Sequence, residues 1–335
     1  ARHPKGAPTH RSPRVKRRKN CDQRHVSFAR VRTTSVCDYN SASRMPELPE
    51  VEVTRRQLLP FFVDRTIEDI ATTKPSYFFI TRPKELARRL IGHRICALDR
   101  VGKYLLLRLD DDSTVLLHLG MTGQLFAAGA SNPRLLSATQ KRALGPRQQL
   151  DFTPDVHTHL VFAFRDPGPK VFFRDVRKFG KVAWLPAGKQ HSRLEKLGKD
   201  ALGASGADLF EASQRRKVEI KSLLLDQGVI AGIGNIYADE ALFLAGVRVT
   251  RPAHRVTRAE CEKIVRAAQQ VMLRSIETGG SSISDYVRPD GSDGGYQNER
   301  RVYARTGEAC GVCGQPIQRI VIAQRSSHFC KHCQK

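Results

Sequence analysis

The stretch Cys310-Gly-Val-Cys313, followed after sixteen residues by Cys330-Lys-His-Cys333, is the local feature from which the organisation of the chain is most directly read. Two such pairs at this separation place four thiolates around one tetrahedral ion, the spacing of a four-cysteine zinc ribbon. A shell closed by four protein ligands leaves no position for a substrate, so one structural zinc ion is expected. A pair of redox dithiols is the other reading of the spacing. His328 and His332 stand close enough to compete as ligands, but the symmetry of the pairs favours the cysteines. Between the pairs, Arg319, Gln324 and Arg325 offer a surface suited to phosphate.

Upstream of this module the sequence changes texture twice. Residues 278–295 are rich in Gly and Ser, a linker or a mobile cover. Before them lies the clearest helix signal, residues 257–276. Thr257 and Glu260 form a capping box there, and Cys261, Ile264, Ala268, Met272 and Ile276 share one face. Residues 217–225 read as another helix, and 232–235 as a tight turn opening a third that runs to 244. Residues 65–185 read as β-rich. Strands at 104–109 and 114–119 flank Asp110-Asp111-Asp112, and strands at 159–164 and 170–174 flank Asp166-Pro167-Gly168-Pro169, giving two hairpins. A helix is predicted over 49–59, with Pro49 in its first turn and Pro60 closing it. Residues 128–150 show no period and read as a surface loop, and residues 1–44 as a disordered basic extension. There is no internal repeat.

Charge points to the partner. The chain has 335 residues, with 57 Lys and Arg against 33 Asp and Glu, a net +24. Residues 1–45 carry +10 of this, so the remainder, at +14, is basic in its own right. A polyanion is the partner that such an excess suits, because cationic side chains bind phosphates and release condensed counterions. No apolar run is long enough for a membrane span, and the N-terminus lacks a secretory apolar stretch. The cysteine usage fits a reducing, intracellular compartment, the cytoplasm or nucleoid, and a monomer is expected.

Met45-Pro46-Glu47-Leu48-Pro49-Glu50-Val51-Glu52 could carry chemistry. Loss of Met45 would expose a secondary amine, and an α-amino group is appreciably unprotonated near neutral pH. Its attack on a sugar C1′ gives an iminium that acidifies the adjacent C2′ proton. Glu47 and Glu50 stand within one helical turn, available for proton transfer. Taken alone, the same residues are an ordinary helix start with acids placed for the dipole.

Seven blocks in order, PELPEVE, VGKYLLL, HLGMTG, DVRKFG, GIGNIYADE, VYART and the terminal cysteine pairs, resemble the formamidopyrimidine-DNA glycosylase family over residues 46–335. PELPE is similar to the purine-directed branch, where the endonuclease-eight-like branch usually reads PEGPE. The resemblance implies an α+β fold: an N-terminal β-sandwich domain over 46–185, a helix-two-turn-helix domain over 190–297 with a lid loop at 278–297, and a zinc hairpin over 298–335. It implies Pro46 as Schiff-base nucleophile, Glu47 as general acid/base, Glu50 as organiser of that site, and Lys103 near the damaged nucleotide's phosphate. Met121, Arg177 and Phe179 would enter the duplex and fill the void left by a flipped nucleotide; without the resemblance, Met121 and Phe179 read as core. His118, Lys221, Asn235, Tyr303 and Arg325 would contact phosphates, with the backbone amides of the GIGN turn approaching one as well. A satisfied structural histidine is the alternative for His118.

The implied activity is a bifunctional glycosylase and abasic-site lyase acting on oxidised purines in damaged double-stranded DNA, with zinc, held by Cys310, Cys313, Cys330 and Cys333, as its cofactor. The alternatives are a pyrimidine-directed sister enzyme and a damage-binding protein without turnover. Two departures stand out. The extension before Met45 would bury the Pro46 nitrogen in an amide; sequence upstream of the true start is the reading that fits residues 1–44, with a transit peptide second. The insert around 129–150 has no functional reading.

Overall fold

The computed structural model describes residues 45–130, 152–283 and 286–335. The basic extension and all of the insert beyond Ala130 lie outside the described residues.

Helix α1 (Leu48–Phe62) starts where Glu50 turns back to accept the Glu47 amide at 2.9 Å, closing the cap. It does not end at Pro60 as expected. The missing proline donor costs one hydrogen bond, but Phe62 is fully buried against Phe162, ring centroids 5.1 Å apart, and this holds the last turn. Eight strands follow: β1 (Ile67–Thr72), β2 (Ile95–Val101), β3 (Tyr104–Leu109), β4 (Thr114–His118), β5 (Gly123–Ala127), β6 (Thr158–Phe164), β7 (Val171–Asp175) and β8 (Lys181–Leu185). They pair antiparallel into two four-stranded sheets, β1-β6-β7-β5 and β2-β3-β4-β8. Both expected hairpins are present, with Tyr104 opposite His118 and Leu160 opposite Phe173. Ile67, Leu107, Leu117, Phe162, Phe173 and Val182 fill one core of this half. A short helix, α2 (Pro83–Leu90), interrupts the β-rich stretch; Leu86 and Leu90 are buried on one face among basic residues that mask the period in the sequence.

Beyond α3 (Ser192–Glu195) and β9 (Lys199–Asp200), the chain becomes helical: α4 (Gly206–Gln214), α5 (Ile220–Leu225), α6 (Asn235–Ala245) and α7 (Arg258–Glu277). Strand β10 (Ile230–Ala231) lies between α5 and α6 and pairs with β9. Helix α5 begins three residues later than expected, because Ile220 N bonds Arg251 O and anchors the turn there. The capping box at Thr257 forms as predicted, Glu260 N reaching Thr257 Oγ1 at 3.3 Å. Leu48 and Val53 of α1 join Tyr237, Leu242, Ile264 and Met272 in this second core, while Val51, Leu58 and Phe62 belong to the first. One helix is therefore shared between two cores. No helix of the described residues is long and apolar enough to cross a membrane.

The C-terminal hairpin, β11 (Gln318–Ile322) and β12 (Arg325–Phe329), docks on α6 through two consecutive acids. Glu240 accepts the amides of Arg301, Val302 and Tyr303. Asp239 accepts the His328 amide at 2.8 Å and pairs with Lys221 at 2.6 Å, both side chains fully buried. Lys221 Nζ also donates to Ser326 O and Ser327 Oγ, at 2.9 and 2.8 Å. All three ammonium protons thus have an acceptor. Removing one partner of a buried pair strands the other, so Lys221→Met should lower unfolding stability by about 3–5 kcal/mol in urea. Lys221→Met with Asp239→Asn, which keeps an acceptor for the His328 amide, should regain much of that loss. A single variant within about 1 kcal/mol of the parent would mean the pair does not anchor the hairpin.

Candidate active site

Gly232 and Gly234 allow the first turn of α6 to approach the start of α1. At Gly232, φ is +110° and a Cβ would strike Leu48; at Gly234 a Cβ would overlap the Glu47 carboxyl. Glu47 therefore sits buried at the N-terminus of α6, accepting Ile236 N at 2.8 Å and Tyr237 N at 3.4 Å. The two amides that this carboxylate accepts belong to the first turn of α6, directly after the GIGN turn. Pro46, next to Glu47, is also buried, its nitrogen in the peptide bond from Met45.

Lys103 enters from the sandwich. It occupies the two-residue turn between β2 and β3 beside Gly102, whose φ of +55° suits the first turn position. Its ammonium donates to Ile233 O at 3.0 Å. The turn is held by Arg100, which donates to Gly102 O and Glu52 at 2.9 and 3.0 Å and pairs with Asp200 at 2.5 Å; Asp200 in turn accepts Gly102 N. Despite its burial, Glu52 is held down to about 2 by hydrogen bonds from Arg55, Arg56 and Arg100.

Burial dominates the electrostatics of the site. It pushes Glu47 up, opposed by the Lys103 charge and the two α6 amides. It pushes Glu50 up to about 7, with the Glu47 charge adding to the effect. It lowers Lys103 to about 8, while Glu47 pulls the other way. Arg325 bears on both Glu47 and Lys103. His118 is lowered to about 3 by burial and by Lys103, so it is neutral. Its Nδ1 accepts Gly120 N at 3.2 Å, which leaves Nε2 as the donor.

Sequence reasoning named Glu50 as an organiser of the site but missed its partners. Its carboxyl accepts Glu47 N, Tyr237 Oη at 2.6 Å and Ser281 N at 2.9 Å, joining α1, α6 and the Gly/Ser-rich loop. Tyr237 Oη lies 2.6 Å from Ser275 Oγ as well. These partners stand 187 and 231 residues from Glu50, so no local signal exists. The loop is packed rather than a plain linker: Ser281, Ser282, Tyr286 and Val287 are buried, and Tyr296 N returns to Gly280 O at 3.1 Å.

The remaining expected residues fall into two groups. Asn235 and Arg325 border the same site; Asn235 Nδ2 donates to Ser326 O at 3.0 Å. Tyr303 is buried with its ring against His328, centroids 5.0 Å apart. Lys221 is not available to a phosphate, because its protons are spent on Asp239, Ser326 and Ser327. That expectation is corrected: Lys221 holds the hairpin that carries Arg325. Met121 is half-buried, whereas Arg177 and Phe179 are exposed, so they are not core residues. Their two turns meet, Arg177 N donating to Thr122 Oγ1 at 3.1 Å. Buried Asp175 ties both, accepting Thr122 Oγ1, Arg177 N and Gly180 N.

The four cysteine sulfurs lie within 4.8 Å of one another, with Cys310–Cys333 at 3.9 Å and Cys313–Cys330 at 3.4 Å. Tetrahedral zinc with bonds of about 2.3 Å requires sulfurs about 3.8 Å apart, so the set fits one ion. His328 is turned to Asp239 and is not a ligand. The thiolates of Cys310, Cys313, Cys330 and Cys333 hold one structural zinc.

Two outcomes follow from these contacts. Cys313→Ser should lose zinc, measured by metal analysis, and lose DNA affinity while the β-sandwich keeps its fold; full affinity without metal would disprove the dependence. For Glu50, a folded pKa of about 7 against an ordinary 4.5 means the folded state holds its proton longer. Stability from this group is complete below about 4.5 and is lost as pH rises to about 7. Glu50→Gln should therefore gain on the parent by up to about 3 kcal/mol between those limits. A difference independent of pH in thermal unfolding would refute the assignment.

Comparison with known proteins agrees with this arrangement. The family model for the formamidopyrimidine-DNA glycosylase N-terminal domain matches residues 45–182, its H2TH domain matches 197–287, and the zinc finger found in FPG and IleRS matches 307–335. The formamidopyrimidine-DNA glycosylase of Solibacter usitatus is 40% identical over 87% of this chain and 100% of its own length. That of Geobacillus kaustophilus is 39% identical, with the same coverage. The MutM (Fpg) crystal structure from Thermus thermophilus superposes with a TM-score of 0.72 at 34% identity, covering 86% of this chain and 98% of that one. The Lactococcus lactis Fpg complex with abasic-site DNA gives 0.72 at 31% identity, covering 86% and 99%. This chain, with its β-sandwich, helical domain and zinc hairpin, belongs to the formamidopyrimidine-DNA glycosylase family.

Proposed function

We propose that this protein excises oxidised purines, 8-oxoguanine and formamidopyrimidines, from duplex DNA and then cleaves the strand. The observation that carries the reading is the convergence of Pro46, Glu47 and Lys103 in one buried site at the N-terminus of α6. A freed Pro46 amine attacks C1′ of the damaged nucleotide, and the glycosidic electron pair leaves with the base. Loss of the amine proton and opening of the sugar ring, the C1′–O4′ bond breaking as O4′ takes a proton, convert the new carbon–nitrogen bond into an iminium, so a proton can be taken from C2′, which expels the 3′ phosphate by β-elimination. A second, δ-elimination expels the 5′ phosphate. Glu47, raised by burial, serves as the general acid/base beside the nitrogen. Lys103 and Arg325 supply positive charge for the damaged nucleotide's phosphate, and His118 and Asn235 supply neutral donors. Met121, Arg177 and Phe179 form the wedge that fills the void of the flipped nucleotide. Relatives solved with Fapy-dG, carbocyclic 8-oxo-G and abasic-site DNA support this reading.

Pro46 decides the matter. One form of the protein should begin at Met45, whose removal frees the proline, and a second should retain residues 1–44, with N-terminal mass measured for each. With abasic-site DNA and borohydride, the first form should give a reduced adduct that peptide mapping places on Pro46. The second should bind the DNA and trap nothing while Pro46 remains an amide, which has no free electron pair for iminium formation. Glu47→Gln in the first form should lose base excision and keep the nucleophile. An adduct on Lys103, or equal trapping by the uncut second form, would overturn the mechanism.

A further inference from the structure

Tyr77 is an aromatic residue that the mechanism above does not use, and its placement is unusual. Its neighbours in sequence are core: Phe78 is fully buried against Phe173, ring centroids 4.8 Å apart, and Phe79 is nearly so. The backbone that follows is bonded to β8, with Val182 N donating to Phe78 O at 3.0 Å and Ile80 N to Val182 O at 2.8 Å, and Phe79 N turns back to Ser76 O at 3.0 Å. Tyr77 itself is 58% exposed. A tyrosine on so firmly held a backbone presents its ring in one place.

That place is the turn carrying Arg177 and Phe179. Tyr77 Oη donates to the carbonyl of Arg177 at 2.5 Å. Its ring lies 6.4 Å from that of Phe179, and Lys181 Nζ sits 4.8 Å from its centroid. The Arg177 guanidinium in turn lies over Phe179 at 4.7 Å. The turn needs support from outside. Lys178 adopts φ +58°, a conformation that side chains other than glycine rarely take, and Phe179 is 40% exposed. Asp175 secures the turn from below, through Arg177 N and Gly180 N. Tyr77 bonds its outer side through the Arg177 carbonyl, while Lys181 Nζ donates to Phe179 O and Gly180 O at 3.4 and 3.0 Å.

We propose that Tyr77 is a positioning residue of the wedge, bracing Arg177 and Phe179 in the geometry that enters the duplex. This rests on the reading of Arg177 and Phe179 as wedge residues. The hydroxyl fixes the Arg177 backbone, so the guanidinium and the Phe179 ring are aimed before DNA arrives. The ring closes the flank of Phe179 and limits how far it can swing when a base presses on it. Insertion into a stacked duplex is opposed by the stack, and a side chain already held in place loses less freedom on entering.

The test uses the full chain and a duplex with a tetrahydrofuran abasic analogue, which needs no chemistry, with 2-aminopurine placed opposite the analogue. Entry of the wedge unstacks the probe and raises its fluorescence. Tyr77→Ala should lower that rise and weaken affinity for this duplex by roughly tenfold, with undamaged duplex affinity and Tm unchanged. Tyr77→Phe, which keeps the ring and loses the hydroxyl, should fall between, at roughly threefold. Combined with Arg177→Ala, Tyr77→Ala should add little, as expected of residues acting through one element. If Arg177→Ala and Phe179→Ala lower the signal while both Tyr77 variants match the parent, the bracing role is wrong and the wedge stands. If Arg177→Ala and Phe179→Ala leave the signal intact, the wedge reading itself fails.

Discussion

The carboxylate of Glu47 at the N-terminus of α6 is the contact on which the rest depends. It is a charge taken out of water, which costs several kcal/mol unless it is met by donors and opposite charge. Two backbone amides, the positive end of a helix and the Lys103 ammonium meet it. Those groups come from two halves of the molecule, so satisfying one carboxylate fixes α1 against α6 and brings the Lys103 turn of the sandwich to the same point. The glycines at 232 and 234 exist for this approach, since a side chain at either would strike Leu48 or Glu47. Glu50 extends the arrangement by one turn, joining Tyr237 and Ser281.

Helix α6 then serves a second task with its next turn. Asp239 and Glu240 are spent on the C-terminal module, one on Lys221 and the His328 amide, the other on three consecutive amides before the first cysteine pair. The zinc-bound hairpin is thereby registered to the same helix whose first turn holds Glu47. Arg325, at the start of β12, bears on Glu47 and Lys103 because of that registration. A structural metal can in this way govern the charge of a site to which it contributes no ligand.

What was legible in the sequence was what is local. The cysteine pairs, the Thr257–Glu260 cap and the two hairpins each lie within a few dozen residues, and each forms as read. What was not legible depends on partners that only folding supplies. The resemblance makes Lys221 a phosphate ligand, and nothing local contradicts it, because its acceptors lie 18 and over 100 residues away. Pro60 looked like a terminator because the buried fit of Phe62 cannot be seen from α1 alone. The seat of Glu47 against the first turn of α6 was not legible because the two lie almost 190 residues apart. The resemblance named the candidate residues, and the packing showed which of their polar groups are already occupied.

The site and its surroundings invert the usual placement of polar and apolar groups. Glu47, Glu50 and Lys103 are buried, while Tyr77, Val176 and Phe179 are exposed near one another on neighbouring turns. Each half of that inversion costs stability: buried carboxyls resist ionisation, and exposed rings leave apolar surface in water. On the proposed function the second cost diminishes on binding, because the gap left by a flipped nucleotide receives the Phe179 ring. Flipping requires the same event, since a nucleotide can remain outside the stack only while something occupies its former place. In the proposed mechanism the burial that raises Glu47 and the exposure that presents Phe179 are two sides of one requirement, that the nucleotide be held out of the helix and next to a carboxyl that can pass a proton.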